Sequence, residues 1–295
     1  MPEFTGVVTE PGLYPDVPEA VYHRDPVAHE WGSLSVSAAK LLVPPAPAAK
    51  FKWAREHGKL PTKSQKLGTL AHALTFGQPV DDVEVLDFEN RTRTKAFIAA
   101  EAKVTEAGKR VVLRKEWDEA QAIAAAVWAN PVAAGLLDGA DYEVSGFWVD
   151  QEFGIWQRMR MDAASLAYSM PTVVDLKTSA DASGEGFAKS MAEYGYVRQE
   201  VHYREGWAAL LGCDPADIDF IFIVVESDPP YLTATYRPHE QDIDRASHQL
   251  RAARERFRHC SEAGIWPGYS EEIETLELPR YKRQQQERDL NEWFD

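Results

Sequence analysis

Pro171-Thr-Val-Val-Asp-Leu-Lys-Thr178 is the segment from which this chain is best read, because it puts two opposite charges inside an otherwise apolar strand. Side chains of a strand alternate between faces, so Val174 and Leu176 point one way and Asp175 and Lys177 the other. One face is expected to be core and the other a site. A carboxylate can hold Mg²⁺, and a lysine two residues on can orient a water or neutralise charge developing on a phosphate, which is what metal-dependent phosphodiester hydrolysis needs. Taken alone, Asp-x-Lys describes a surface strand with a local ion pair equally well, so its neighbours have to decide.

Downstream, a Gly/Ser loop leads into Phe187 to Leu211, a helix rich in aromatics on which Tyr196, Gln199 and Tyr203 share a face. A Gln and a Tyr on a core-facing side need polar partners. Asp219-Phe-Ile-Phe-Ile-Val-Val225 is apolar enough for a strand covered on both faces, and Tyr231 to Tyr236 is its hairpin partner. Gln241 to Ala263 is a long helix whose basic edge, Arg251, Arg254 and Arg258, is either solvated or a track for DNA. Residues 271–295 are a tail.

Upstream, Tyr142 to Met161 has the pattern of a hairpin turning around Asp150 to Gly154, with Asp162 just where the second strand should end. Arg158, Arg160 and Asp162 then share a face, and a short return loop would set Asp162 beside Asp175. Composition from about Thr94 to Leu137 is helical, broken by Pro131 and ended at Gly139. Leu67, Leu70, Ala71 and Leu74 are spaced for a helix that carries His72 one turn after Gly68. A glycine inside a helix costs about 1 kcal/mol against alanine, so something should approach the backbone there. Ala48 to Gly58 is a short helix, and Ser35 or Ser37 can cap another that Pro44 and Pro45 stop. Residues 1–30, rich in Pro, Asp and Glu without a period, are expected to be an irregular arm.

With 295 residues, 44% of them hydrophobic, the chain can bury a large core. No apolar run approaches the roughly 20 residues of a membrane helix, and Met1-Pro-Glu-Phe lacks the features of a signal peptide, so a cytoplasmic protein with no membrane partner is expected. Two distant cysteines, Cys213 and Cys260, argue against a disulfide framework, a zinc site or an iron–sulfur cluster, and leave oxygen and imidazole to hold any metal. A net charge of −15 opposes strong non-specific binding to nucleic acid, although cations cluster locally at Arg91, Arg93 and Lys95 and at Arg158 and Arg160.

The motifs in order, Gly68-Thr-Leu-Ala-His72, Arg158-Met-Arg-Met-Asp162, Val174-Asp-Leu-Lys-Thr178 and Gln199-Glu-Val-His-Tyr203, resemble those of PDDEXK nucleases of the RecB-like branch, most closely the RecE-type (exonuclease VIII) phage recombination exonucleases. Leu34-Ser-Val-Ser37, Gly146-Phe-Trp148, Val225-Glu-Ser-Asp-Pro-Pro-Tyr231 and Trp266-Pro-Gly-Tyr269 are similar as well, so the resemblance spans about residues 20–270. Met161 stands where the family usually has proline. The resemblance implies an α/β fold with a mixed central sheet flanked by helices, forming one exonuclease domain over residues 31–270. It implies that His72, Asp162, Asp175 and the Leu176 carbonyl hold one or two Mg²⁺ or Mn²⁺, that Lys177 positions or activates the attacking water, and that Gln199 and Tyr203 support the metal site or contact DNA. Ser35, Ser37, Arg158, Arg160 and Glu143 are candidate DNA contacts, Glu143 also a further site acid. Implied too are 5′-to-3′ digestion from double-stranded DNA ends, a RecT-like single-strand annealing partner and a ring-shaped homo-oligomer.

Two alternatives stand beside that expectation. An endonuclease or helicase-associated end-processing nuclease on the same fold would cut circular DNA. A non-catalytic acidic accessory protein would have no reason to keep His72, Asp162, Asp175 and Lys177 together.

Overall fold

The computed structural model describes residues 2–58, 63–92 and 94–294; Arg93, one of the cations noted in the sequence, lies outside them. The chain opens with β1 (Gly12–Tyr14), α1 (Glu19–His23), β2 (Ser33–Ser35), α2 (Val36–Ala39), α3 (Ala48–His57) and α4 (Lys63–Thr75). Residues 1–30 are therefore not an irregular arm. Tyr14, Val17, Tyr22 and Val27 pack with Phe147 in an apolar cluster of their own. A strand and a helix this short cannot display a period, which is why composition alone suggested irregularity. Ser35, not Ser37, caps α2, its hydroxyl accepting from the Ala38 N–H at 3.4 Å.

Next come β3 (Val83–Leu86), α5 (Lys95–Glu106), β4 (Arg110–Leu113), α6 (Arg114–Ala129) and α7 (Pro131–Leu137). The expected helical stretch is thus interrupted by a strand. β4 pairs in parallel with β3, and its Val111-Val112 pair, β-branched and stiff at χ1, wins locally against an Ala- and Glu-rich background. Among the described residues no single helix is long and apolar enough to cross a membrane.

The second half holds β5 (Asp141–Val149), β6 (Trp156–Ser165), β7 (Thr172–Ser179), α8 (Gly184–Tyr194), α9 (Tyr196–Leu211), β8 (Asp219–Glu226), β9 (Thr233–Tyr236), α10 (Glu240–Ala263) and α11 (Arg280–Phe294). The hairpin is present, turned by Asp150, whose carboxylate accepts from the N–H groups of Glu152 and Phe153. The second strand runs on to Ser165, so Asp162 lies within it and not at its end.

Seven strands form the central sheet among the described residues, in the order β1-β5-β6-β7-β8-β9, with β2 joining β6. β7 and β8 are parallel, linked through α8 and α9, and β2 runs parallel to β6; the remaining pairs are antiparallel. This is the mixed sheet flanked by helices that was expected. β8 shows why its sequence is apolar throughout: Phe220, Phe222 and Val224 pack against α9, α10 and α3 on one face, Ile223 and Val225 against α4, α6 and α7 on the other. β7 alternates likewise, so the Asp175 and Lys177 face is covered by α9 and is not an open surface.

The decisive irregularity is a fork. β6 and β7 pair from Ser165↔Thr172 to Ala163↔Val174 and then part. Beyond that point the β6 edge is taken up again by β2, from Arg158 to Trp156, while β7 continues against β8 alone. Asp162 and Asp175, next in register, sit where the strands separate. In place of a ladder bond, the Leu176 N–H donates to the Asp162 carboxylate at 2.8 Å.

The arginines of α10 are engaged within the fold. Arg254 is buried, ion-paired to Glu205 and 3.5 Å from Asp150. Arg251 pairs with Glu152, Arg258 with Glu262, and Arg256 donates to the Ala46 carbonyl.

Candidate metal centre and its cleft

A cleft of about 1670 Å³ opens over the fork, and Gly68, His72, Glu143, Asp162, Lys177 and Tyr203 are among the residues that line it. Four elements bring these together. α4 crosses the end of β7 so closely that a Cβ at Gly68 would stand 3.0 Å from the Thr178 hydroxyl, the close approach that the glycine forecast. One turn further along α4, His72 reaches two carboxylates at once: Nε2 lies 3.0 Å from Asp162 Oδ2, and Nδ1 lies 3.2 Å from Glu143 Oε1. Ligand atoms of His72, Glu143 and Asp162 all fall within 4.8 Å of one another, a group that could hold a metal ion.

Glu143 enters this group through its backbone. It lies opposite Asp162, between the paired positions Tyr142↔Ala163 and Val144↔Met161, and adopts φ 57°, a left-handed conformation that costs a non-glycine residue about 1–2 kcal/mol. Its other oxygen accepts from Arg160 Nε at 2.5 Å.

Asp175 and Lys177 stand on the neighbouring side of the fork. Asp175, 1% exposed, accepts from the Gln199 amide at 2.5 Å and is ion-paired to Lys177. Gln199 is in turn hydrogen-bonded to the Tyr203 hydroxyl. The Asp175 carboxylate is therefore engaged by a lysine and an amide and does not belong to the compact ligand group. Leu176 contributes its N–H to Asp162 and also borders the cleft.

The electrostatics favour a cation. Burial would lower His72, but Asp162, then Glu143 and Asp175, raise it to about 9. Burial pushes Asp175 up to about 6; Lys177 opposes this and the Asp162 charge adds to it. Burial and Asp162 also raise Glu143, against His72 and Arg160. Asp162 ends below its usual value: burial raises it, and His72, Lys177 and the Leu176 N–H more than compensate. Three carboxylates crowded into a low-dielectric pocket are what a divalent cation would relieve, and two carboxylates and an imidazole offer it oxygen and nitrogen ligands. Lys177 remains an ammonium, since burial is outweighed by Asp175 and Asp162.

Arg158 and Arg160 line the cleft, yet both are committed to the fold. Arg158 is 3.0 Å from Asp25 and donates to the Ser33 carbonyl and hydroxyl, each at 2.8 Å. Arg160 holds Glu143 and donates to the Val17 carbonyl at 2.8 Å. Tyr22 lies under both guanidiniums, at 5.6 and 5.7 Å. Ser35 and Ser37 also border the cleft. The sequence reading missed Tyr22 and Asp25, the residues that set these arginines. Asp25 has φ 65°, and Asp25-Pro26, a turn-initiating pair, was the available signal.

A family model described as a PDDEXK-like domain of unknown function (DUF3799) matches residues 46–279. Among solved structures, a protein from Eubacterium rectale provisionally assigned as an exonuclease is similar at 14% identity and a TM-score of 0.59, over 90% of this chain and 94% of that one. A phage-related exonuclease from Haemophilus somnus is similar at 13% identity and a TM-score of 0.34, over 79% of this chain and 96% of that one. No curated protein matches the sequence. At such identity the first of these likenesses establishes a common fold.

Proposed function

Because the chain belongs to the PDDEXK-like domain family matched over residues 46–279, we propose that it is a divalent-metal-dependent nuclease whose active site is the fork between β6 and β7. The observation that carries this reading is the convergence of His72, Glu143 and Asp162 within 4.8 Å beside an ammonium, Lys177, in one cleft.

His72, Glu143 and Asp162 would hold Mg²⁺ or Mn²⁺, one ion or two. When bound, the ion supplies Lewis-acid activation of a phosphate oxygen and of water. Asp175 adds a further negative charge beside that centre and fixes Lys177. Lys177, kept an ammonium by Asp175 and Asp162, would donate hydrogen bonds that orient the attacking water and neutralise charge building on the phosphate. Gln199 holds Asp175 in place and is itself held by Tyr203, so the pair preorganises the lysine. Ser35 and Ser37, at the start of α2 on the cleft wall, would contact the sugar–phosphate backbone.

The substrate proposed is a linear DNA duplex, digested from its ends by removal of one strand 5′ to 3′. A ring of copies of this chain and a single-strand annealing protein would complete a recombination pathway. Enclosure of DNA by such a ring would also reconcile processive action with a net charge of −15. The test is digestion of linear duplex DNA labelled at each strand's 5′ and 3′ ends, with Mg²⁺, Mn²⁺ or EDTA, beside a covalently closed circle. Metal-dependent loss from 5′ ends with an intact circle is expected, and Asp162→Asn should be inactive. A cut circle would make the protein an endonuclease; no cleavage with either metal would end the nuclease reading.

A further inference from the structure

The cleft also has a wall of different chemistry. Tyr194, the last residue of α8, lines the cleft and is 54% exposed. Gly195, at φ 64°, ends α8 and starts α9 in the same step, which leaves the rings of Tyr194 and Tyr196 with centroids 5.7 Å apart, tilted by 36°. From Tyr196 a column runs inward: its ring stacks on Phe187 at 5.9 Å and 26°, and Phe187 stacks on Tyr236 at 5.5 Å and 20°. Tyr236 is pinned by its hydroxyl, which donates to the Ala182 carbonyl at 2.7 Å. A rigid stack rooted in the core thus ends on a half-exposed ring facing the cleft.

Cations gather on this column, Lys177 paired with Asp175 and Lys40 without a carboxylate of its own among the described residues. Lys177 lies 4.8 Å and Lys40 5.6 Å from the centre of the Tyr196 ring. Lys40 makes no ion pair among the described residues, and Arg198 donates to the Gln249 amide oxygen at 2.6 Å, not to an acid. The surplus charge is felt: burial, then Lys177 and Arg198, bring Lys40 down to about 8, with Asp175 alone opposing. An exposed aromatic face with an unpaired ammonium, Lys40, behind it suits a polymer that alternates π-faces with phosphates.

We propose that the α8–α9 wall is a subsite for unpaired nucleotides, in which Tyr194 stacks on a base and Lys40 neutralises a phosphate neighbouring the one that reacts. This rests on the nuclease reading and sharpens its substrate. Bases inside a duplex are stacked on each other and offer no face to a protein ring, so the strand must reach this wall single-stranded, from a frayed end or an overhang.

Binding measured in EDTA separates this proposal from catalysis. Fluorescence anisotropy at low ionic strength would compare an oligothymidylate of about twelve nucleotides with an abasic phosphodiester chain of equal length, for the wild type, Tyr194→Ala and Tyr194→Phe. Wild type and Tyr194→Phe should prefer the oligothymidylate by about 10-fold, and Tyr194→Ala should lose that preference while still binding the abasic chain. Lys40→Met should weaken both ligands alike and flatten the salt dependence by about one charge. A wild type that does not distinguish the two chains, or a Tyr194→Ala protein that keeps the full preference, overturns the subsite. Cleavage with Mn²⁺ is read separately: base-dependent binding without cutting would sink the nuclease reading and leave the subsite standing, and cutting without base dependence would do the reverse.

Discussion

Glu143 holds a conformation that a glutamate adopts at a cost, and in that conformation its carboxylate meets His72 and Arg160 at the fork. Strained residues persist where function selects them. Glu143→Gln should keep the fold and the Arg160 contact yet weaken divalent-ion affinity by about 10-fold or more, measured by calorimetry, as expected for loss of an anionic oxygen ligand. A second residue gives a pH signature away from the centre. Glu200, 3% exposed, is pushed up to about 7 by burial, with Arg204 opposing. Because its folded value is raised, the stability linked to its proton is complete below the unfolded value of 4.5 and is lost as pH rises through about 7. Glu200→Gln should therefore melt higher than wild type at pH 8, by roughly 1–3 kcal/mol in stability, with the gap closing on acidification toward pH 5. At this scale much of the candidate site was legible. His72, Asp162, Asp175, Lys177, Gln199 and Tyr203 announce themselves as polar groups at helix or strand spacing within apolar segments. Their division into a ligand group and a lysine-holding pair was not legible, since a period of two gives a face and says nothing of where two strands part.

Elements explain that division. The sheet opens at β6 and β7 because β2 claims one stretch of the β6 edge and β7 claims another, and a fork in a sheet is where backbone N–H groups are free to hold side chains, as Leu176 holds Asp162. α9 must lie close to the hairpin to bring Gln199 and Tyr203 to the site, and Gly206 permits it: a Cβ there would meet the buried Trp148 ring at 2.5 Å. Gly206→Ala, favourable for an isolated helix, should cost about 1–3 kcal/mol by overpacking in a denaturant titration, and cleavage should fall with it. Phe187 to Leu211, expected as one helix, is broken at the left-handed Gly195 into α8 and α9, whereas the long periodic elements α4, α10, β5 and β8 were readable from their pattern. β1, α1, β3 and β4 were not, being three to five residues each, too short for a period to emerge, and they form only because partners elsewhere in the chain pair with them.

Across the whole molecule the two ends of the chain differ. The first is structural: β1 edges the sheet, and Tyr22 with Asp25 sets Arg158 and Arg160. The last is peripheral, with Ile273, Leu276 and Tyr281 exposed by 103%, 85% and 67%. Deleting residues 271–295 should leave stability within about 0.5 kcal/mol of the intact chain, whereas deleting residues 1–30 should lower it by several kcal/mol and abolish cleavage, as followed by thermal melting and digestion of labelled DNA. The charge distribution follows the same logic. An acidic protein with a net charge of −15 pairs the exposed arginines Arg251 and Arg258 of α10 with acids and leaves Lys40, beside the Tyr196 ring, without an ion pair among the described residues. The measurement to make first is a Mn²⁺ titration of the intact protein, followed by electron paramagnetic resonance, beside Asp162→Asn and Glu143→Gln. A saturable site in the wild type, weakened at least about 10-fold in both variants while their melting curves stay intact, is the predicted result. Absence of a saturable site, or equal affinity in all three proteins, would contradict the assignment of the fork as a metal centre.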